Sequence, residues 1–486
     1  MHIYFFAILP ICWIYIKNCD ELPLQHIVII AIALGIVTAC INGFLRLICK
    51  KTYNAYFPLV SFGWLSFWYS IPIARILIFG RHRIAIWDSS VLPPQVAPII
   101  VTYKWSLAML FAFVFGMVTF LFWRILRKKF NFTKLNRILN VWVMCISCFL
   151  LGQTVLNYFH RQNAKLPIIK NQSIEKLPNI YHIILDAYTN YHVLKETYGY
   201  DNSDFYNALE QLGFVCQKDS HSDYSGTYLS MSSVLNFGCQ HSKELSETDT
   251  YFHHKLNCNE VWPSLSQKNY QLHLLEHVGI YQSPYMPANE LKVSNFVKTF
   301  LAVTSDTLLK HVFENCMLQK YYQQHIYEIK TILALLHESP SRYGFQNQYF
   351  YAHILSPHEP LVFDENGNIS QEQTFEGVLL QKQQNIVATD EQQEAFKKRY
   401  VNQIRAINQL VLPVLRDIIN QHAENHQAPI IILHGDHGRQ VCSQENPANA
   451  TANLFAIYVP EKFRSEAAHL EFKNLYRWVF KLLENW

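Results

Sequence analysis

Four short segments of the chain carry side chains able to do chemistry. Asp186 directly follows the apolar run YHIIL (181–185). Thr227 lies in HSDYSGTYLSMSSVLN (221–236), where a Ser/Gly-rich turn enters an apolar helical pattern. His358 sits in SPHEP (356–360), and Asp436 and His437 sit in HGDHG (434–438), each after a β-rich apolar run. Asp186, Asp436 and His437 offer hard oxygen and imidazole donors for one divalent ion. A threonine hydroxyl is a poor nucleophile at neutral pH, and coordination to an ion lowers its pKa and orients it. The helix start after Thr227 presents free backbone N–H groups to an anion. His358, and His277 in LLEHVG, are placed to bind non-bridging phosphate oxygens or to serve a leaving group as general acid. These parts suit a metal-assisted displacement at phosphorus or sulfur.

Each residue also has an ordinary reading. Asp186 could cap a turn, and Asp-His-Gly suits a turn by itself. Thr227 has hydroxyl rivals in Ser225 and Ser230, which often only cap helices. His358 could belong to a surface loop. With 22 histidines in the chain, a lone one such as His273 or His353 reads as structural. What favours chemistry is the combination, one ligand type at the end of each of several strands.

The elements that must position these residues follow from periodicity. The runs at 181–185, 270–276, 348–355, 429–434 and 453–459 read as strands. Residues 203–213 read as a helix opened by Ser203 and Asp204, and 295–337 and 390–425 as longer helices, the last with a kink at Pro413. Alternating strands and helices imply a mostly parallel sheet covered on both faces. In such sheets ligands bind at the carboxyl ends of strands, where the four segments fall.

The chain has 486 residues, 50% apolar, 14% aromatic and only 16% charged, against about 25% charged in ordinary domains. Residues 1–160 hold 14 Lys and Arg but only Asp20, Glu21 and Asp88, a net of +11. The remaining 27 basic and 34 acidic residues give the rest of the chain a net of −7. One uniform soluble domain is excluded. Nucleic-acid binding is disfavoured, because the basic half is the apolar half.

Five apolar stretches (3–16, 27–45, 58–79, 97–123 and 141–159) predict about five transmembrane helices. The first could be a signal-peptide core, but it lacks a basic start and a small-residue cleavage site. The loops 46–57 and 124–140 carry Arg46, Lys50, Lys51, Arg124, Arg127, Lys128, Lys129, Lys134 and Arg137 with no acid. Positive loops stay cytoplasmic, so everything beyond about residue 160 is expected outside the cytoplasm. Arg75, Arg81 and Arg83 run against the rule and read as snorkelling anchors, or as contacts for a lipid phosphate. The expected organisation is a membrane domain over 1–160, a polar linker over 161–178 and an extracytoplasmic α/β domain over 179–486. Among the five cysteines beyond residue 160, Cys239–Cys258 is the expected pair in an oxidising compartment.

The segments NIYHIILDAY, YLSMSSVLN, SPHEPLVFDENG and IIILHGDHG together resemble the alkaline phosphatase superfamily, over roughly residues 178–460. More narrowly they resemble its membrane-anchored sulfatase-like branch, with lipoteichoic acid synthases and phosphoethanolamine transferases. The resemblance implies an alkaline-phosphatase-like domain with a single metal site of Asp186, Thr227, Asp436 and His437, Thr227 being the nucleophile and His277 and His358 meeting the substrate phosphate. The departures matter too. True sulfatases carry Cys/Ser-x-Pro-x-Arg where this chain has Thr227-Tyr228-Leu229-Ser230-Met231. They tend to have paired aspartates where Ala187 follows Asp186. Lipoteichoic acid synthases commonly use Glu as the first ligand. The expected activity is transfer of a phosphoglycerol- or phosphoethanolamine-type head group from a membrane phospholipid, through a covalent threonine, to a glycan, lipid or water. Manganese or magnesium suits the donors, with zinc as the alternative. The rivals are a phosphodiesterase or phosphatase of the same fold, and a non-catalytic envelope scaffold.

Overall fold

The computed structural model describes residues 2–17, 24–49, 136–146, 176–238, 259–276, 308–370, 390–440 and 446–486, with a few single positions between them. The stretches expected to span at 58–79 and 97–123, most of the linker and the Cys239–Cys258 pair lie outside the described residues. The chain packs as two units, Met1–Ala164 with Ser294–Tyr321, and Lys165–Val293 with Tyr322–Trp486.

In the first unit the helices His2–Lys17, Leu24–Cys49 and Asn136–Ile146 are described. Among the described residues one segment, Ile27–Leu47, is long and apolar enough to cross a bilayer. It exposes Ile32, Ile36, Phe44 and Leu47, a face that water would disfavour and acyl chains would not. Its one buried hydroxyl, Thr38, donates 2.7 Å to Leu34 O four residues back, so that hydroxyl is satisfied within the helix itself. The first helix, with 16 residues, is shorter than the roughly 20 that a span requires.

The second unit is built on a six-stranded sheet in the order β2-β6-β5-β1-β4-β3. The strands are β1 (Ile180–Leu185), β2 (Phe214–Gln217), β3 (Gln271–Glu276), β4 (Gln348–Ile354), β5 (Ile430–His434) and β6 (Phe455–Tyr458). The pairs β1–β4, β1–β5 and β3–β4 are parallel, while β6 runs antiparallel to both β5 and β2. The sheet is therefore mostly parallel, as the alternation implies, with the one reversed strand β6 making it mixed. Phe214–Gln217 has only four residues, one of them buried, too short a run to read as a strand from the sequence.

Every residue of β1 is buried, as expected for a central strand covered on both faces. On one face Tyr181 stacks on Phe350 and its hydroxyl meets His422 Nε2 at 3.1 Å. His422 belongs to the helix Asp390–Glu424, which runs through Pro413 without a break. On the other face Ile184, Trp262, Tyr351, Ile432, Phe455, Tyr476 and Val479 form the core. The period of two in a strand carries this second face outward through His182, Ile184 and Asp186. The neighbouring strands end in step, through Tyr349, Tyr351 and His353, and through Ile432, His434 and Asp436. The helix Ser203–Gln211 is not capped by its own Ser203 or Asp204. Asp201 Oδ1 accepts the Ser203 N–H at 3.0 Å.

Candidate metal centre

Asp186 leaves β1 into a tight turn in which Ala187 takes a left-handed backbone, φ 58°, unfavourable for a residue with a Cβ. Several hydrogen bonds hold it there. Ala187 N donates to Asp436 Oδ1 (2.9 Å). The Tyr400 hydroxyl donates to Ala187 O (2.6 Å) and accepts from Thr189 N (3.1 Å). Asp186 N donates to Ile354 O (3.0 Å), and His358 N donates to Asp186 O (2.9 Å). The turn thus joins the ends of β1, β4 and β5.

The glycines of HGDHG are there for close approach. A Cβ on Gly435 would meet Tyr188 O at 2.3 Å, and one on Gly438 would meet Asn449 O at 2.2 Å and Ala452 O at 2.3 Å. Between them Asp436 and His437 are turned into the site. Asp436 Oδ1 accepts two backbone N–H groups, from Ala187 and from His437 (3.0 Å). Its Oδ2, and Oδ1 of Asp186, are buried with no hydrogen-bond partner. Two such carboxylate oxygens are costly unless a cation faces them.

His437 supplies the third donor atom. Its Nδ1 lies 2.7 Å from Gly438 O, which only accepts, so Nδ1 carries the proton and Nε2 the lone pair of the neutral ring. That Nε2 is 3.8 Å from Asp186 Oδ1, 3.7 Å from Asp436 Oδ2 and 3.5 Å from Thr227 Oγ1. Ligand atoms about 2.1 Å from one tetrahedral ion lie about 3.4 Å apart. The four residues therefore fit a divalent ion by donor type, by orientation and by spacing.

Thr227 is the first residue of the helix Thr227–Val234, just after the extended Gly226, so its hydroxyl sits at the positive end of that helix. Ser230 is no rival, because its hydroxyl donates 2.5 Å to Asp436 O and ties the helix to the DHG loop.

His353, read from sequence as structural, belongs to the site. It is fully buried, and its Nε2 lies 3.2 Å from Asp186 Oδ2. One ligand atom each of Asp186, His353 and Asp436 fall within 4.8 Å of one another. Burial would lower the His353 pKa, but the hydrogen bond and charge of Asp186, with Asp436 and Glu276, raise it above the ordinary value. Burial would raise that of Asp186, but His358, His353 and His437 hold it well below the usual carboxylate range. Burial pushes His358 down to about 4, Asp186 opposing and Arg439 and His437 adding to the shift.

Solved structures give the chain neighbours. It is similar to the integral membrane protein lipooligosaccharide phosphoethanolamine transferase A from Neisseria meningitidis, at 12% identity over 96% of this chain and 90% of that one, with a TM-score of 0.39. It is similar to the periplasmic domain of EptC from Escherichia coli, solved as a zinc complex, at 11% identity over 64% and 83%, TM-score 0.36. It is similar to a lipoteichoic acid synthase from Listeria monocytogenes, at 13% identity over 58% and 66%, TM-score 0.31. The kinds of protein that the sequence motifs resemble thus return among the structures. No family model matches the chain, and no curated protein does.

Of the residues singled out in the sequence, Asp186, Thr227 and Asp436 each bring a side-chain oxygen within 3.8 Å of His437 Nε2. His358 borders them through its backbone bond to Asp186. His277 lies outside the described residues. Two further residues joined to the site, Glu359 and Arg439, form a buried ion pair. Their signal was in the motifs, since each follows a site histidine by one or two positions.

Proposed function

We propose that the chain is a metal-dependent transferase that moves a phospho-head group, of phosphoethanolamine or phosphoglycerol type, from a membrane phospholipid by way of Thr227. The observation that supports this is the convergence of two partnerless carboxylate oxygens, the His437 Nε2 lone pair and the Thr227 hydroxyl at a helix start. A divalent ion would be held by Asp186, Thr227, Asp436 and His437, manganese or magnesium suiting the donors and zinc the alternative. When bound it would favour the ionised threonine oxygen and offset charge growing on phosphorus.

Thr227 Oγ1 attacks the phosphodiester phosphorus. The Oγ1–P bond forms as the bond from phosphorus to the diacylglycerol oxygen breaks, and that oxygen takes up a proton equal to the one Thr227 gives up. The head group is left on Thr227 as a phosphodiester. A hydroxyl of a glycan or lipid, or water, then attacks phosphorus and releases Oγ1, which regains a proton. His358, beside Asp186, would meet the phosphoryl group. The apolar helix Ile27–Leu47 and the acid-free basic loops fit a multi-pass protein of a bacterial inner membrane, its catalytic unit outside the cytoplasm. Such tethering concentrates donor and acceptor at one surface.

The test is to incubate the full chain with phosphatidylethanolamine or phosphatidylglycerol and weigh the peptide carrying Thr227. A head-group phosphate on Thr227, absent from Thr227→Ala, supports the reading. Undiminished lipid turnover by Thr227→Ala overturns it. Label released to water without any acceptor identifies a hydrolase on the same site.

A further inference from the structure

The mechanism uses His358 but does not account for the ion pair beside it. Glu359 and Arg439 have side chains only 2% and 5% exposed, and Arg439 Nη2 donates to Glu359 Oε1. The guanidinium lies over the Phe396 ring, 5.4 Å from its centroid, and the Tyr198 hydroxyl donates 3.1 Å to Arg439 O. Glu359 directly follows His358, and Arg439 comes two residues after His437. The pair therefore fastens the SPHEP strap to the DHG loop, the two segments that carry the site's outer and inner histidines. A buried ion pair seldom adds stability over well-packed apolar side chains of the same size, and its better-attested use is to fix one arrangement.

The effect on His358 is visible in its hydrogen bonds. Its Nδ1 donates 2.9 Å to Glu359 O, with Glu359 Oε2 at 3.5 Å. Both acceptors belong to the residue that Arg439 clamps. The proton is thereby held on Nδ1 and Nε2 is left as the ring atom available to a ligand. We infer that Glu359 and Arg439 are positioning residues that fix the orientation and tautomer of His358 over the ligand cluster. This rests on the proposed phosphoryl-transfer reading, which assigns His358 its contact with substrate.

The test replaces both partners with apolar side chains, Glu359→Leu with Arg439→Met, in the full chain in detergent micelles. The double variant is expected to unfold at or above the wild-type temperature and to bind Mn²⁺ within about threefold of wild type, while kcat for head-group release falls about thirtyfold and KM stays nearly constant. Wild-type kcat in a folded double variant overturns the inference, since the pair would then only pack. Nitrogen NMR of histidine-labelled protein, with His358 assigned by His358→Gln, reads the tautomer without any substrate. The Nδ1–H form is expected in the wild type and its loss in the double variant, and an unchanged tautomer overturns the inference. If wild type turns over no lipid, the functional reading fails and this second measurement still decides. If the double variant does not fold, Glu359→Gln keeps the shape and an acceptor for the guanidinium, and the same readouts apply to it.

Discussion

His353 Nε2 lies 3.2 Å from Asp186 Oδ2, and both side chains are buried. The partners shift in opposite directions, Asp186 below its ordinary pKa and His353 above. In metal-free protein the contribution of Asp186 is therefore complete above its unfolded value of about 3.9, and is lost as pH falls through its depressed folded value. That of His353 is complete below its unfolded value of about 6.5, and is lost as pH rises through its raised folded value. Urea unfolding of chelator-treated protein should show a plateau of stability between these limits. His353→Gln should flatten the alkaline limb while the acid limb remains. An alkaline limb of wild-type size in that variant would contradict the assignment.

Thr227→Ala should lower head-group release by at least about a thousandfold, since the nucleophile is gone. Thr227→Ser keeps the hydroxyl and should retain a measurable fraction. Thermal unfolding should change little in either, because Thr227 sits at a helix start after an extended glycine and anchors no core packing. Radiolabelled head-group release, measured beside circular dichroism melts, separates the two effects.

How far the site could be read from sequence depends on what each residue leaves there. Asp186, Asp436 and His437 stand at the ends of apolar runs, so a strand reading already puts them at one edge. The glycines flanking Asp436 mark a backbone too crowded for side chains. His353 leaves no such mark. It is one of 22 histidines, and its role comes from register, β4 lying parallel beside β1 with His353 opposite Ile184. That neighbour relation joins residues 169 positions apart and is not a local pattern. The direction of β6, whose run at 453–459 reads as a strand, left no mark for a related reason, because it is set by pairing with β2 and β5 and not by its own residues.

Mn²⁺ should stabilise the protein by mass action, about 2.7 kcal/mol at a hundred times its Kd. Asp436→Asn should abolish at least about half of that gain. It keeps an oxygen to accept the N–H groups of Ala187 and His437 but removes the charge facing the ion. Loss of even an outer-shell partner typically weakens metal binding about ten- to a hundredfold, and loss of a direct carboxylate donor should cost at least as much. Melting temperature against Mn²⁺ concentration gives both numbers, and an equal metal-induced shift in Asp436→Asn would place the ion elsewhere.

Tyr400 bonds the turn after Asp186 from both sides, donating to Ala187 O and accepting from Thr189 N. Tyr400→Phe leaves both backbone groups buried without that partner, and should cost about 1–3 kcal/mol. Because Ala187 N also holds Asp436, the loosened turn should weaken Mn²⁺ affinity as well. Denaturant unfolding and metal titration on the one variant should both report a loss.

Gly438 offers the sharpest contrast between two kinds of glycine. A Cβ there meets two backbone oxygens, Asn449 O and Ala452 O, at 2.2 and 2.3 Å, and backbone cannot swing aside as a flexible side chain can. Gly438→Ala should therefore move the loop that carries His437 and cost about 1–3 kcal/mol. Gly199 has φ +63° but nothing within 4 Å of an added Cβ. Gly199→Ala should cost about 1 kcal/mol through backbone strain alone and leave turnover untouched. If both substitutions lower turnover alike, the loss reflects general destabilisation. If only Gly438→Ala does, the close approach of the DHG loop to the 449–452 backbone is what sets His437 against Asp186 and Thr227.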